Sequence, residues 1–270
     1  MKKIIVSLTT YGNRINSVEL TLKTILNQTK KADKIILWLA EDEFNFNNIP
    51  KNLLNLHMNN LVEIMFCKDL KSYKKLIPTL KLYSEEIIIT FDDDILYKEN
   101  LIEKLYKEHL EFPNTIICGR GHKIRFNINN SLKKYSKWDR RTQDFLENYD
   151  ILPTGAGGVL YPPNCFFVDI LDENLFLELA PNADDIWFKA MTLMNNRKSK
   201  ILFQNKKEFT RLETIKDTQN ETLYSKNIHF NDKYLKNVFD KYDLYDKFKM
   251  PIRKRVFSNI KIFLRRKLSL

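Results

Sequence analysis

Short apolar runs rich in β-branched residues alternate along this chain with stretches whose apolar positions recur at helical spacing. The runs are Lys3 to Leu8, Ile35 to Leu39, Val62 to Phe66, Ile87 to Phe91, Thr115 to Cys118 and Ile201 to Phe203. Each has the length of a strand, and Ile87 to Phe91 reads as one buried on both faces. Ile15, Val18, Leu22, Ile25 and Leu26 predict a helix ending near Asn27. Leu76, Leu80 and Tyr83 predict another, introduced by Lys68 to Lys75, and Leu101, Leu105 and Leu110 a third. The asparagine-rich stretch from Phe44 to Asn60 predicts a loop with one short helix near Leu53. Such alternation predicts βαβ units: an α/β fold with a mostly parallel sheet and helical crossovers on both faces. The regular half runs to about residue 120. Beyond it, Asn127 to Asp150 is polar and irregular, and no internal repeat is present.

The central run ends in three consecutive carboxylates, Asp92, Asp93 and Asp94. Adjacent carboxylates repel, so a fold keeps them only where something offsets the charge. Solvent can do so, as can a divalent cation. In an open α/β sheet the carboxyl end of a strand is where ligands bind. In an extended segment Asp92 and Asp94 point the same way, and two hard oxygen donors suit Mg²⁺ or Mn²⁺ when phosphates complete the shell.

Two later stretches also stand out. Half of the six glycines fall within four residues, Gly155, Gly157 and Gly158. Such density means backbone pressed against another segment or a ligand, and both readings stay open. The spacing matches neither a Walker nor a dinucleotide loop. Asp184 and Asp185 then open a helix running to Met194, with Asn182 or Asp184 as its expected cap. Helix starts attract acids for the dipole alone, so a catalytic role for this pair is one of two readings.

Composition narrows the class. No apolar run approaches the ~20 residues of a membrane-spanning helix, and Met1 to Leu8 reads as a first strand rather than a leader. Cys67, Cys118 and Cys165 form no disulfide or zinc pattern, which fits a reducing cytoplasm. The net charge is +11, but eight Lys or Arg and no acids lie from Lys249 onward, leaving +3 on the remainder. In that tail Val256, Phe257, Ile260, Phe263, Leu264 and Leu268 share one helical face, with cations largely on the other. Residues 251–268 are therefore expected to lie on an anionic membrane surface, with a disordered basic tail or a helix docked on a partner as alternatives. The organisation expected is one domain over 1–248 and a basic amphipathic tail over 249–270.

Four blocks together resemble the nucleotide-sugar glycosyltransferases of the GT-A, Rossmann-like fold. The likeness is to the family-two-like enzymes of bacterial surface-polysaccharide and lipopolysaccharide synthesis. The blocks are Val6 to Tyr11 with Arg14; Tyr73 to Pro78; Phe91 to Asp94; and Thr154 to Pro162 with Ala183 to Trp187. They occur in the family's order over about residues 3–190.

The resemblance implies a metal-dependent enzyme moving a sugar from a nucleotide donor, UDP-linked by preference, to a saccharide or lipid-linked saccharide acceptor. It would work at the inner face of the cytoplasmic membrane. Residues 1–120 would bind the nucleotide sugar and 121–248 the acceptor. The triplet matches the family's Asp-x-Asp element, which makes Asp94 and Asp92 the implied ligands of Mn²⁺ or Mg²⁺, with His229 as a further metal or phosphate ligand. Thr9, Tyr11, Arg14, Glu41, Asp42, Lys75, Asp92 and Asp93 are implied around the nucleotide sugar, and Gly157, Gly158 and Trp187 around the acceptor. Asp184 and Asp185 match the family's acidic pair, whose second member is the general base of inverting enzymes.

Two other classes compete. A sugar nucleotidyltransferase would need a glycine- and arginine-rich loop after the first strand, and Thr9 to Arg14 has one of each. A nucleic-acid-binding protein would need a basic body, and a body of +3 argues against nucleic acid as a partner.

Overall fold

The computed structural model describes residues 2–203, 212–216 and 230–248. The basic tail and His229 lie outside them. Seven strands form the main sheet: β1 (Ile4–Thr9), β2 (Lys34–Ala40), β3 (Glu63–Cys67), β4 (Ile87–Thr90), β6 (Ile116–Cys118), β9 (Val159–Tyr161) and β10 (Ser199–Ile201). Two short pairs flank it: β5 (Ile95–Leu96) with β11 (Glu213–Thr214), and β7 (Gly121–Lys123) with β8 (Ile151–Pro153).

The sheet order is β10-β6-β9-β4-β1-β2-β3. Pairings β1–β2, β2–β3, β1–β4 and β6–β10 are parallel, and β9 runs antiparallel between β4 and β6. A doubly wound sheet reverses its strand order beside β1, and here β4 lies on the other side of β1 from β2. The architecture is the expected mixed α/β one, consistent with a GT-A, Rossmann-like fold. Because β9 comes from the second half and sits between strands of the first, the two halves share one sheet.

Period-two alternation builds a core on each face. Ile4, Val6 and Leu8 of β1, Ile87 and Ile89 of β4, Ile117 of β6 and Leu160 of β9 belong to one core. Helices α1 (Val18–Leu26), α2 (Lys51–Met58) and α4 (Leu101–Glu111) cover that face with Val18, Leu22, Ile25, Leu53, Ile102 and Leu105. Ile88, Ile116, Cys118, Val159 and Tyr161 face the other core. There α3 (Ile77–Tyr83), α5 (Glu173–Leu179), α6 (Asp184–Met194) and α7 (Asn231–Lys241) supply Ile77, Phe176, Trp187, Phe188, Met191, Leu235 and Val238. Strands buried on both faces explain why the sequence shows continuous apolar runs rather than alternation.

Four details differ from expectation. Leu110 is 62% exposed, because α4 buries the stripe Ile102, Leu105 and His109 instead. The N-cap of α6 is Ala183, so neither Asn182 nor Asp184 caps it. The late strand is Ser199–Ile201, slightly earlier than expected, because it takes its register from β6. β9 is a three-residue strand between glycines and prolines, too short to show as a run.

Gly119, just after β6, donates its N–H to the Gly158 carbonyl at 3.0 Å. A Cβ at Gly119 would lie 2.3 Å from the Gly157 carbonyl oxygen. Backbone on both sides leaves no flexible atom to yield, so overpacking must shift a strand end. Gly119→Ala is expected to cost about 3 kcal/mol of unfolding free energy. A urea melt giving a loss under about 1 kcal/mol would show that the two backbones can separate freely.

Candidate active site

The carboxyl ends of β1 and β4 and the start of α6 converge on one acidic patch. Lys75 is at its centre. This side chain ends a 3-10 turn (Lys71–Lys75) and is buried. Its Nζ lies 2.8 Å from Asp92 Oδ1 and 2.9 Å from Asp184 Oδ2. Burial alone would lower the lysine's pKa. The charges of Asp184, Asp92 and Asp185 override that and raise it well above its ordinary value. Ser72 Oγ donates to the other oxygen of Asp184 at 2.8 Å.

Asp185, the next residue of α6, keeps a partly exposed edge. The Gly155 N–H donates to its Oδ1 at 3.2 Å. Burial first, and then the charge of Asp184, push its pKa up, with Lys75 opposing. A carboxyl raised this way is a stronger base once ionised, which is the property a general base needs. Asp184 is buried and engaged by Lys75 and Ser72, so it holds the lysine in place, while Asp185 is held by the Gly155 N–H.

The triplet divides between inside and rim. Asp93 is buried, accepts from Thr10 Oγ1 at 2.6 Å and lies 3.1 Å from Arg14 Nη2. Burial raises its pKa to about 6 against the pull of Arg14 and Thr10. Its carbonyl accepts from Thr21 Oγ1 at 2.9 Å. Asp94 meets the same Arg14 nitrogen at 2.5 Å, and Asp92 is held by Lys75. The Tyr97 hydroxyl accepts the Asp92 N–H at 2.9 Å and fixes the bend after β4.

Around this patch the remaining expected residues fall as follows. Tyr11 stacks its ring on the Arg14 guanidinium, 5.4 Å away. Thr9 Oγ1 donates to the Trp38 carbonyl at 2.8 Å, tying β1 to β2. Glu41 and Asp42 are exposed in the turn after β2, and it is Glu43 that reaches the Tyr11 turn, accepting the Gly12 N–H at 2.6 Å.

Three acceptor-side expectations need correction. Trp187 is fully buried, donates to the Ile170 carbonyl at 3.3 Å and packs against Phe176 and Tyr242, so it belongs to the core. A Cβ on Gly157 would lie 2.4 Å from the Arg120 nitrogen, and one on Gly158 2.6 Å from the Phe91 ring. Both glycines are demanded by packing, Gly158 also by its φ of 74°. The glycine that faces the acids is Gly155, whose Cβ position lies 2.6 Å from Asp92 Oδ1 and 2.7 Å from Lys75 Nζ.

No protein-family model matches the chain, and no curated protein does. Among solved structures, the crystal structure of S. aureus TarS residues 1–349 matches with a TM-score of 0.45 and 15% identity. The match covers 75% of this chain and 58% of that one, so the chain spans little over half of its solved relative. A likeness at that level leaves the chemistry to be read from the chain's own residues.

The donor set fits a divalent cation. Asp92, Asp93, Asp94 and Asp184 are four carboxylates met directly by two cations, Lys75 and Arg14, and Asp185, held by the Gly155 N–H, is a fifth beside them. An anion cannot approach such a patch without added positive charge. Asp92 and Asp94 are the two at the rim. No group of three His, Cys, Asp or Glu side chains placed to hold a metal ion occurs among the described residues; an ion of the Mg²⁺ type, held by one or two carboxylates with substrate phosphates and water, would not require one.

Sequence reasoning missed Thr10, Ser72 and Arg120. Thr10 and Ser72 carry only a hydroxyl. Arg120 sat inside a short connection whose neighbours were unknown. Lys75→Met would leave Asp92 and Asp184 without their shared cation, and it is expected to cost roughly 3 kcal/mol. Lys75→Arg is expected not to rescue, because Gly155 closes over the Nζ position. Denaturant melts of the two variants check both statements, and wild-type stability for Lys75→Met would remove Lys75 from the centre of the site.

Proposed function

We propose that the chain is a metal-dependent glycosyltransferase. Its donor would be a nucleotide sugar, UDP-linked by preference, and its acceptor a saccharide or lipid-linked saccharide of surface-polysaccharide synthesis. The observation that carries this reading is the convergence at one sheet end of the Asp92–Asp94 rim and the Asp184–Asp185 pair, joined through Lys75. One group of acids suits a leaving diphosphate and the other an attacking hydroxyl, and they come from different segments, as displacement across an anomeric carbon requires.

In this reading Asp92 and Asp94 hold Mn²⁺ or Mg²⁺, which when bound supplies positive charge for the leaving diphosphate. Asp185 takes the proton of the acceptor hydroxyl as its oxygen bonds to the anomeric carbon. The anomeric C–O bond breaks with its electron pair leaving on the nucleoside diphosphate. The outcome is inversion. Lys75 keeps Asp92 and Asp184 in register, and Arg14 fixes Asp94 against Asp93. Thr9 and Tyr11 with Arg14 line the turn offered to the nucleotide, and Glu41 and Asp42 stand at its outer edge. The tail over 251–268 would bring the enzyme to an anionic membrane surface. No helix among the described residues is long and apolar enough to cross a membrane.

Two results are expected. UDP should raise the melting temperature only with Mn²⁺ or Mg²⁺ present, and Asp94→Ala should lower transfer by about 10²–10³-fold while keeping the fold. Wild-type turnover by purified Asp94→Ala with a nucleotide sugar would overturn the metal assignment. Because the base must be ionised, kcat/KM should rise with pH through the Asp185 ionisation. Since that carboxyl is raised, the rise should lie above the ~4 of an ordinary aspartate. Asp185→Asn should lose this limb and about 10²–10⁴ in rate, and an unchanged pH profile in Asp185→Asn would assign the base elsewhere.

A further inference from the structure

Arg120 follows β6 on the far side of the Gly155–Gly157 turn from Lys75. Its carbonyl accepts the Thr154 N–H at 3.1 Å, and its backbone packs against Gly157. The same turn gives the Gly155 N–H to Asp185. Arg120 is thus locked to the segment that positions the candidate base.

Its guanidinium is half-buried and forms no ion pair among the described residues, and its buried Nε has no hydrogen-bond partner. Neighbouring cations contrast with it. Lys123 pairs with Asp144 and Asp150, Arg125 with Asp139, Lys198 with Glu147 and Lys200 with Glu108. A second arginine, Arg141, is exposed close by. It is held at a φ of 49°, and its N–H donates to His122 Nδ1 at 3.1 Å. His122 is buried and therefore neutral: burial and the charges of Arg120, Arg140 and Arg141 push its pKa down to about 4. It adds no positive charge of its own and accepts rather than repels.

Burial and then the nearness of Arg141 lower the pKa of Arg120, and Tyr135 first, then Asp185 and Asp92, oppose this. Two like charges kept together, one of them half-buried with no carboxylate at ion-pair distance among the described residues, cost free energy unless an anion joins them.

We propose that Arg120 and Arg141 form a subsite for an anionic group, a phosphate ester or carboxylate, carried by the acceptor. This rests on the glycosyltransferase reading for the word acceptor, but the anion site itself does not. A guanidinium presents its donors as a fork that matches phosphate and carboxylate oxygens. Held here, the anion would orient an acceptor whose hydroxyl meets Asp185. The group is distinct from the donor diphosphate, which belongs to the Asp92–Asp94 rim.

The test is a thermal-shift titration of the full chain with inorganic phosphate, glucose 6-phosphate, glucuronate and neutral glucose. It is run with and without saturating UDP and Mg²⁺. The three anions should stabilise the wild type, and glucose should not. The effect should persist with UDP bound. Arg120→Gln should weaken phosphate binding by roughly tenfold or more, and Arg141→Gln, an exposed change that leaves the fold intact, should weaken it as well. Arg120→Lys should recover part of the loss and controls for folding. Phosphate protection that vanishes when UDP is bound would assign the arginines to the donor, and protection unchanged in both glutamine variants would remove the subsite. Absence of any UDP effect, with phosphate binding still dependent on Arg120, would count against the proposed donor while sustaining the anion site.

Discussion

One buried ammonium holds the candidate site together. Lys75 reaches Asp92 from one segment and Asp184 from another, and its charge offsets the repulsion between the two acids. A buried cation is itself costly, and the two acids offset that cost. The dependence is mutual, so the strand end of β4 and the start of α6 have fixed relative positions. The lysine comes from the 3-10 turn before α3, so a third element is tied in as well. Hydrophobic packing on both faces of the sheet builds the scaffold, but this ion triad sets which acids share a mouth.

Close backbone approach is the second constraint. The turn Gly155–Gly157 lies between Lys75 with Asp92 on one side and Arg120 on the other, and the three glycines of the block each meet a different neighbour. Gly155 makes room for the ion triad, Gly157 for the backbone of Arg120 and Gly158 for the Phe91 ring. A side chain at any of them would push apart groups that must stay together. The turn also leads straight into β9, whose insertion between β4 and β6 brings the second half of the chain to the carboxyl end of the first.

The fold was legible wherever burial on both faces left a continuous apolar run. Ile87 to Phe91 and Ile35 to Leu39 announced their strands because each apolar side chain in them enters a core cluster. β9 was not legible, since three residues between glycine and proline carry no period. In the site, Asp92 to Asp94 and Asp184 to Asp185 were visible because clustered carboxylates are expensive and need a reason. Arg120 was invisible because its significance is the lack of a carboxylate partner, and a missing contact leaves no trace in the order of residues. Trp187 was placed around the acceptor by the resemblance alone, since it follows the acidic pair in the matching block. Its position on α6 turns it inward to Phe176 and Tyr242.

The triplet shows why three adjacent acids need not be three ligands. The chain turns at Asp93 and Asp94 instead of continuing extended, and that turn carries the middle acid inward. Asp93 points into the protein, where Thr10 and Arg14 receive it. Burial raises its pKa only to about 6 because those partners resist the loss of charge. Near neutral pH it remains an anion and a firm anchor for Arg14. The same guanidinium nitrogen then meets Asp94 at the rim. The inner acid thus fixes the arginine that fixes the outer one, while Lys75 does the equivalent for Asp92. Two rim carboxylates held from behind by separate cations keep their geometry without needing a ligand to impose it. Under the proposed function such a site would offer two held carboxylates to a divalent cation, with the middle aspartate acting only through that positioning.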